Sequence, residues 1–306
     1  MNTYEICQLC PRNCRADRTK HRGFCGETHV LRVARASLHM WEEPPISGDV
    51  GSGTVFFSGC NLGCIFCQNH QIAHEHRGKE ITAERLSEIF LELQEKGAAN
   101  INLVTAVHFT PHVIRALDLA KEKGLSIPIV YNSSGYESVE TLRLLKGYID
   151  IYLPDYKYRS HELAVRFSNA KNYPEIAEQA LFEMFSQVGE PIFDEKGMMK
   201  KGMIVRHLVL PKHTDDSMAV LQYLHETYGD RIFISIMSQY TPCRKFSEYP
   251  ELSRKLTTYE YRKVLRFAEA IGIKNGFLQS GEAAKESFIP DFDGQGVIEK
   301  NGQQVL

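Results

Sequence analysis

Three cysteines, Cys60, Cys64 and Cys67, stand together in the stretch Gly53 to Asn69, GTVFFSGCNLGCIFCQN. Thiolates spaced C-x3-C-x2-C can hold three irons of a four-iron cluster, and a cluster held wholly by protein needs a fourth ligand. No cysteine follows at local spacing. The pattern therefore points to an iron–sulfur cluster with one iron left open. A zinc knuckle is the competing reading, but zinc sites usually show four ligands in paired spacings. The element that must carry the loop lies just before it. Thr54-Val55-Phe56-Phe57 is a short apolar run of β-branched and aromatic residues, which reads as a buried strand. Ser58-Gly59, Asn61 and Gly63 then favour a tight loop past the strand's C-terminal end.

With an aromatic, Phe66, before its last cysteine, the triad resembles the signature of the radical S-adenosylmethionine (radical SAM) enzymes. In that family the open iron binds the amino and carboxylate groups of S-adenosylmethionine (SAM), and the reduced cluster cleaves SAM to a 5′-deoxyadenosyl radical. SGCNLGCIFCQN is similar to the pyruvate formate-lyase activating enzymes, and the whole chain resembles their activating-enzyme-like homologue group. The resemblance implies a [4Fe-4S] cluster on Cys60, Cys64 and Cys67 with SAM beside Phe66. It also implies an electron donor such as flavodoxin or ferredoxin.

The bulk composition bounds the rest. A chain of 306 residues holds one α/β barrel with an appendage, or two ordinary domains. Hydrophobic content of 43% and charged content of 24% are those of a soluble globular protein. A net charge of −2 gives no reason to expect a nucleic-acid partner. No apolar run approaches the ~20 residues of a membrane span. MNTYEICQLCPRNC lacks the apolar core of a secretory signal, so the expected location is the cytoplasm. There, eight cysteines argue for metal rather than disulfides. Seven of them fall in the first 67 residues. Cys7, Cys10, Cys14 and Cys25 form C-x2-C-x3-C-x10-C, which suits zinc or a second iron–sulfur cluster, with unmetallated thiols as the plain alternative. Residues 1–52 accordingly read as a cysteine-rich metal-binding extension, and 53–306 as the catalytic unit.

Strands and helices alternate along that unit. Strands are expected over Asn100 to Ala106, Ile127 to Asn132, Ile149 to Leu153, Met203 to Leu210 and Ile232 to Met237, with Asn275 to Leu278 closing the pattern. Helices are expected from Thr82 to Gly97, Pro111 to Lys123, Val139 to Lys146, Pro174 to Gln187, Asp215 to Tyr228 and Thr258 to Ile271. Val30 to Ala36 reads as a strand, Tyr158 to Asn172 as irregular, Gly189 to Gly202 as a hairpin, and Glu42-Glu43-Pro44-Pro45 as an extended loop. Such alternation indicates a parallel sheet with right-handed crossovers. Polar residues after nearly every strand place the chemistry at a barrel's C-terminal mouth. The resemblance implies the same: a partial (β/α)6, TIM-like barrel of the radical SAM type.

Residues at the strand ends are therefore the candidates for the site. Where activating enzymes carry Gly-Gly-Glu against the SAM amino group, this chain has Thr105-Ala106-Val107-His108, and His108 is the candidate substitute. Asn132 and Ser133 stand where those enzymes have Asp-Thr-Asn-Gly, for the SAM carboxylate or a monovalent cation; a helix cap is the plain reading. Asp155 and Lys157 match the family's Asp-x-Lys, and lie two apart on one side of an extended chain. Arg206 matches a family arginine. Alternation separates it from His207, and a charge inside a buried strand needs a partner, for which a ligand anion is the obvious choice. His207, Gln239 and Tyr240 complete the set as candidate catalytic or substrate contacts, and Cys243 reads as a buried thiol. The leading expectation is a radical SAM enzyme acting on a small molecule, sugar or peptide. An activase abstracting hydrogen from a glycine of a partner protein is the alternative, and a non-catalytic metal-binding protein a remote third.

Overall fold

Apolar strands that alternate with amphipathic helices must bury both faces, and a parallel sheet with crossovers does this. The computed structural model describes residues 3–278 and 289–298. Its strands are β1 (Arg32–His39), β2 (Ser52–Phe57), β3 (Lys79–Glu80), β4 (Ile101–Val104), β5 (Ile129–Ser133), β6 (Ile151–Pro154), β7 (Ile192–Phe193), β8 (Met199–Leu208), β9 (Phe233–Met237) and β10 (Gly276–Leu278). They form one sheet in the order β10-β9-β8-β6-β5-β4-β2-β1-β3, with β7 off this path beside β8. From β2 to β10 every pairing is parallel, while β1, β3 and β7 pair antiparallel. The order does not close on itself: the sheet is an open, partial barrel, as the alternation predicts.

The helices begin where their sequences signal. Helix α3 (Ala83–Glu95), which follows two short helices, α1 (Pro44–Ser47) and α2 (His70–Ala73), is capped by Thr82, whose Oγ1 accepts from Arg85 N at 3.1 Å. It buries Leu86, Ile89, Phe90 and Leu93. Helix α4 (Thr110–Glu122) carries Pro111 in its first turn. Then come α5 (Val139–Leu144), α6 (His161–Ser168), α7 (Tyr173–Val188), α8 (Thr214–Tyr228) and α9 (Thr258–Ala270).

Three features differ from the sequence reading. The stretch taken as irregular, Tyr158 to Asn172, contains α6: Ser160 Oγ caps it, and Asn169, in a left-handed conformation, ends it. A helix of eight residues gives too few apolar positions for its period to show. Strand β8 starts at Met199 rather than Met203, because the hairpin strand β7 pairs with its first residues. Pro44 and Pro45, read as part of an extended loop, open the short helix α1 instead.

Period-two alternation sorts the side chains into two layers. Val55, Leu103, Tyr131, Tyr152, Val205 and Ile234 face the helices in the main core. On the opposite face Val130, Ile151, Leu153 and Ile204 pack with Ile46 of α1 into a plug that fills the lower end. Further along the strands the inward positions turn polar at Asn132, Asp155, Arg206 and Ser235, with Asn102 below them at the level of Val130. This layer is the floor of the site.

Behind β5 lies a buried carboxyl, Glu137, within 3.5 Å of Tyr131 Oη. Burial pushes it up from 4.5 to about 8, against hydrogen bonds from Ser133 and Tyr131. A carboxyl that holds its proton more tightly when folded costs stability as pH rises from about 4.5 to about 8. Glu137→Gln is expected to remove this slope and to stabilise the protein by about 2–4 kcal/mol at pH 9, with little change at pH 4. Denaturant titrations at the two pH values check it; a variant less stable at pH 9 would show that the ionised carboxylate has a partner.

Candidate functional site

The polar layer opens into a cavity of about 450 Å³ at the C-terminal ends of the strands. That volume suits a drug-sized ligand. Cys60, Cys64 and Cys67 all line it, with Phe66 between the last two.

The loop that carries the thiols is shaped by close contacts. Gly59 has φ +81°, and a Cβ there would lie 2.6 Å from the carbonyl of Cys25. Only glycine fits. The N–H of Cys60 donates to that same Cys25 carbonyl at 3.1 Å. The N–H of Leu62 points at Cys60 Sγ (3.4 Å), and Ser168 Oγ donates to Cys64 Sγ at 3.1 Å. Burial and the neighbouring Cys64 raise the Cys60 thiol, and burial raises Cys67 as well. Phe66 meets Tyr240 and Phe167 edge-on at 6.0 and 6.1 Å, which fixes the loop's inner side.

A clamp from the N-terminal segment holds this loop, and nothing in the sequence singled it out. Arg12 donates to the carbonyls of Asn61 (2.9 Å), Leu62 (2.9 Å), Ser168 (2.8 Å) and Asn169. Its guanidinium lies over Phe24, 4.0 Å from the ring centre. It is a positioning residue. Arg12→Ala is expected to lower the retention of iron by the triad under a chelator about 10–100-fold, the usual scale for groups that orient metal ligands. Arg12→Lys should recover little, since one ammonium cannot serve four carbonyls. Iron release followed by absorbance checks it, and release at the wild-type rate in Arg12→Ala would remove the clamp from the argument.

The opposite wall is charged. An isolated parallel bridge sets Asp155 beside Arg206. Arg206 Nε meets Asp155 Oδ1 at 3.0 Å, Nη1 meets Glu42 Oε2 at 3.1 Å, and Nη2 donates to Asn132 Oδ1 at 2.6 Å. Lys157 Nζ lies 2.5 Å from Asp155 Oδ2. Asn102 and Asn132 donate to Glu42 Oε1 at 3.0 and 3.3 Å. Burial pushes the Asp155 carboxyl up, but Lys157 and Arg206 outweigh it and hold the carboxyl below its usual range. Burial likewise works against the Lys157 ammonium, yet Asp155 and the thiols raise it to about 12. Burial raises Glu42 and Glu43 despite Arg206.

The candidates named from sequence separate cleanly. Phe66, Asn132, Ser133, Asp155, Lys157, Arg206 and Gln239 line the cavity with the triad. His108, His207 and Tyr240 do not. His108 is fully buried behind the loop with Nε2 on the Ser58 carbonyl at 2.6 Å, and burial together with Arg18 brings it down to about 3. His207 faces the helix side, 2.7 Å from the Tyr156 carbonyl, and Tyr240 Oη donates to the Leu252 carbonyl at 2.6 Å. These three side chains are occupied by backbone carbonyls. The partner of Arg206 also differs from the ligand anion the sequence suggests: all three guanidinium nitrogens meet protein oxygens. Thr105, a β-branched residue at φ +59°, lies on the cavity, so this turn holds backbone strain.

Among the N-terminal thiols Cys7 and Cys25 are buried, Cys10 is half-buried and Cys14 exposed. Burial pushes Cys10 up to about 12 and Cys25 to about 11. Among the described residues, no group of three or more His, Cys, Asp or Glu side chains stands at the spacing of a single metal ion. No helix among them is long and apolar enough to cross a membrane.

Comparison with known proteins adds three findings. Residues 54–224 match the family model described as the radical SAM superfamily. The chain is 32% identical over 275 residues to "Uncharacterized protein MJ0674" of Methanocaldococcus jannaschii, covering 88% of this chain and 75% of that one. Among solved structures, methylornithine synthase (PylB) superposes with TM-score 0.48 at 13% identity over 72% of this chain and 68% of its own. Streptococcus suis SuiB bound to S-adenosylmethionine gives TM-score 0.47 at 12% identity over 72% of this chain. The chain spans about half of SuiB's length, 47%.

Proposed function

Because the chain belongs to the radical SAM superfamily, we propose that its cavity holds a [4Fe-4S] cluster on Cys60, Cys64 and Cys67 beside SAM. We propose further that it abstracts hydrogen from a small-molecule, sugar or peptide substrate. The observation that carries this reading is the meeting of three thiols with the strand-end Asp155, Lys157 and Asn132 in one cavity. The donor set fits such a cluster: three thiols on one loop, Cys64 buried and Cys60 and Cys67 half-buried on the cavity, two of them already receiving hydrogen bonds from Leu62 N and Ser168 Oγ. Bound there, the cluster supplies the electron for reductive cleavage of SAM.

The protein's own residues have the remaining tasks. The donors at Cys60 and Cys64 stabilise negative charge on sulfur. Lys157 uses one of its N–H groups on Asp155 and has others for the SAM carboxylate. The Ser134 hydroxyl, on the cavity without a partner, adds a polar contact. Phe56, Leu62, Phe66 and Val104 keep water from the reacting atoms. Both oxygens of Asp155 are taken by Lys157 and Arg206, so this reading assigns it no monovalent cation.

The reading extends to the four N-terminal thiols, as a second metal–thiolate centre of iron–sulfur type, since they do not stand at the spacing of a single ion. Arg18 supports it. Its side chain is fully buried, 3.7 Å from Cys7 Sγ, and its hydrogen bonds go to the carbonyls of Glu27, Thr28 and His108. An anionic centre would add to the charge that the buried Glu27 carboxyl supplies to this cation. A small reduced protein of flavodoxin or ferredoxin type would deliver electrons, and the exposed iron confines activity to anaerobic conditions.

The test is anaerobic reconstitution, reduction by dithionite with SAM, and assay of 5′-deoxyadenosine, with iron, sulfide and zinc counted. Deoxyadenosine supports the reading, and a fully loaded protein that binds no SAM overturns it. A glycine-centred radical on an added partner protein would instead mark an activase.

A further inference from the structure

Among the described residues, the polar layer of the cavity has one cation fewer than its carboxyl groups. There Glu42, Glu43 and Asp155 face only Lys157 and Arg206. The hydrogen bonds of Arg206 go to Asp155, Glu42 and Asn132, and that of Lys157 goes to Asp155. Glu43 is 8% exposed, and its Oε2 is buried with no hydrogen-bond partner. The Ser235 hydroxyl serves the carboxyl, but a hydroxyl carries no charge. His39, which also lines the cavity, is held by burial and by Arg35 down at about 4, so it is neutral. A buried carboxylate oxygen without a partner costs several kcal/mol, by order of magnitude, unless a proton or a cation meets it.

The place of Glu43 says which cation. Its hydroxyl partner, Ser235, is on β9, whereas the thiols follow β2 on the other side of the sheet. Lys157 and Asp155, after β6, and Arg206, on β8, lie between. Around this end of the cavity stand Leu208, Met237 and Phe277. A hard divalent ion asks for about six oxygen ligands, which these side chains do not offer. An ammonium on a carbon stem matches both halves of the surface.

We propose that the β8–β10 side of the cavity is a substrate subsite for an organic ammonium, with the charge on Glu43 and the carbon stem along Leu208, Met237 and Phe277. The assignment to substrate rests on SAM occupying the thiol side, as read above.

The protein contains a reporter. Trp41 is the only tryptophan and lines the same cavity. The reconstituted protein would be titrated with n-butylammonium chloride while Trp41 fluorescence is followed, with 1-pentanol, one carbon longer, as the neutral reference and sodium chloride as the salt reference. A saturable change with butylammonium that pentanol does not give is expected. Glu43→Gln should weaken it about 10–100-fold, the scale of a hydrogen bond to a charged group, and Glu43→Asp should retain most of it. Equal responses to butylammonium and pentanol in the wild type overturn the proposal without reference to any variant. So does equal affinity in a Glu43→Gln protein of wild-type melting temperature. If SAM affinity falls in parallel in Glu43→Gln, the ammonium is that of SAM itself and the substrate assignment fails. Absence of deoxyadenosine and of SAM binding strikes the radical SAM reading alone, since butylammonium binding is read independently of both.

Discussion

Arg206→Met is expected to lower the free energy of unfolding by about 3–5 kcal/mol, the usual result of removing one partner from a buried ion pair. Two carboxylates depend on this guanidinium, Asp155 through Nε and Glu42 through Nη1, and Asn132 takes the third nitrogen. After the change Asp155 retains Lys157, but Glu42 keeps only the amides of Asn102 and Asn132, with Glu43 adjacent. At roughly 2.1 cal/mol/K of unfolding entropy per residue, this deficit is a fall of about 5–8 °C in melting temperature. It should be largest at high pH and shrink as pH falls through the range above the usual carboxylate value, where burial makes Glu42 take up a proton in the folded protein. Arg206→Lys should recover part of the loss, since it keeps the charge and loses the fork. Calorimetry at pH 5 and pH 8 decides. A Met variant as stable as wild type at pH 8 would mean that Glu42 is already protonated, and that the charge count of the cavity is in error.

Much of this arrangement is legible in the chain, for definite reasons. The thiol loop is local: strand, glycine turn and cysteines follow one another, so order in sequence is order in space. The open parallel sheet follows from alternating periods. Asp155 and Arg206 are foreseeable because a charge at an inward strand position must be answered. What answers Arg206 is not foreseeable in the same way. Glu42 and Glu43 come from Trp41-Glu42-Glu43-Pro44, a stretch whose local signals say only loop, and they matter because β1 packs antiparallel to β2 and returns the chain over the strand ends. Asn102 and Ser235 carried a signal that went unused, since each is a polar residue at alternate spacing within an otherwise apolar strand. His108 and Tyr240 show the converse limit. Residue type suggests chemistry, but depth decides it, and both side chains are spent on carbonyls behind the cavity lining.

The substitution with the largest expected effect is Cys64→Ala. Cys64 is buried, its sulfur takes the Ser168 hydroxyl, and its carbonyl accepts from Cys67 N at 3.2 Å, so it lies at the centre of the loop. Losing a ligand exceeds losing an orienting neighbour, so iron held by the triad and deoxyadenosine formation should each fall by more than about 100-fold. The fold should persist, because alanine leaves a small space beside the loop rather than an unpaired charge. Far-ultraviolet dichroism should therefore be unchanged while the iron count drops to whatever Cys7, Cys10, Cys14 and Cys25 hold. Cys243→Ala is the matched control: its sulfur lies 3.9 Å from the Ile65 carbonyl, outside the cavity lining, and its loss should leave iron and deoxyadenosine as they were. The pair of variants separates a ligand from a nearby thiol, which a single substitution cannot do. Wild-type iron and deoxyadenosine in Cys64→Ala would remove the triad as the ligand set. The thiols of Cys7, Cys10, Cys14 and Cys25 would then be the remaining group able to hold a cluster.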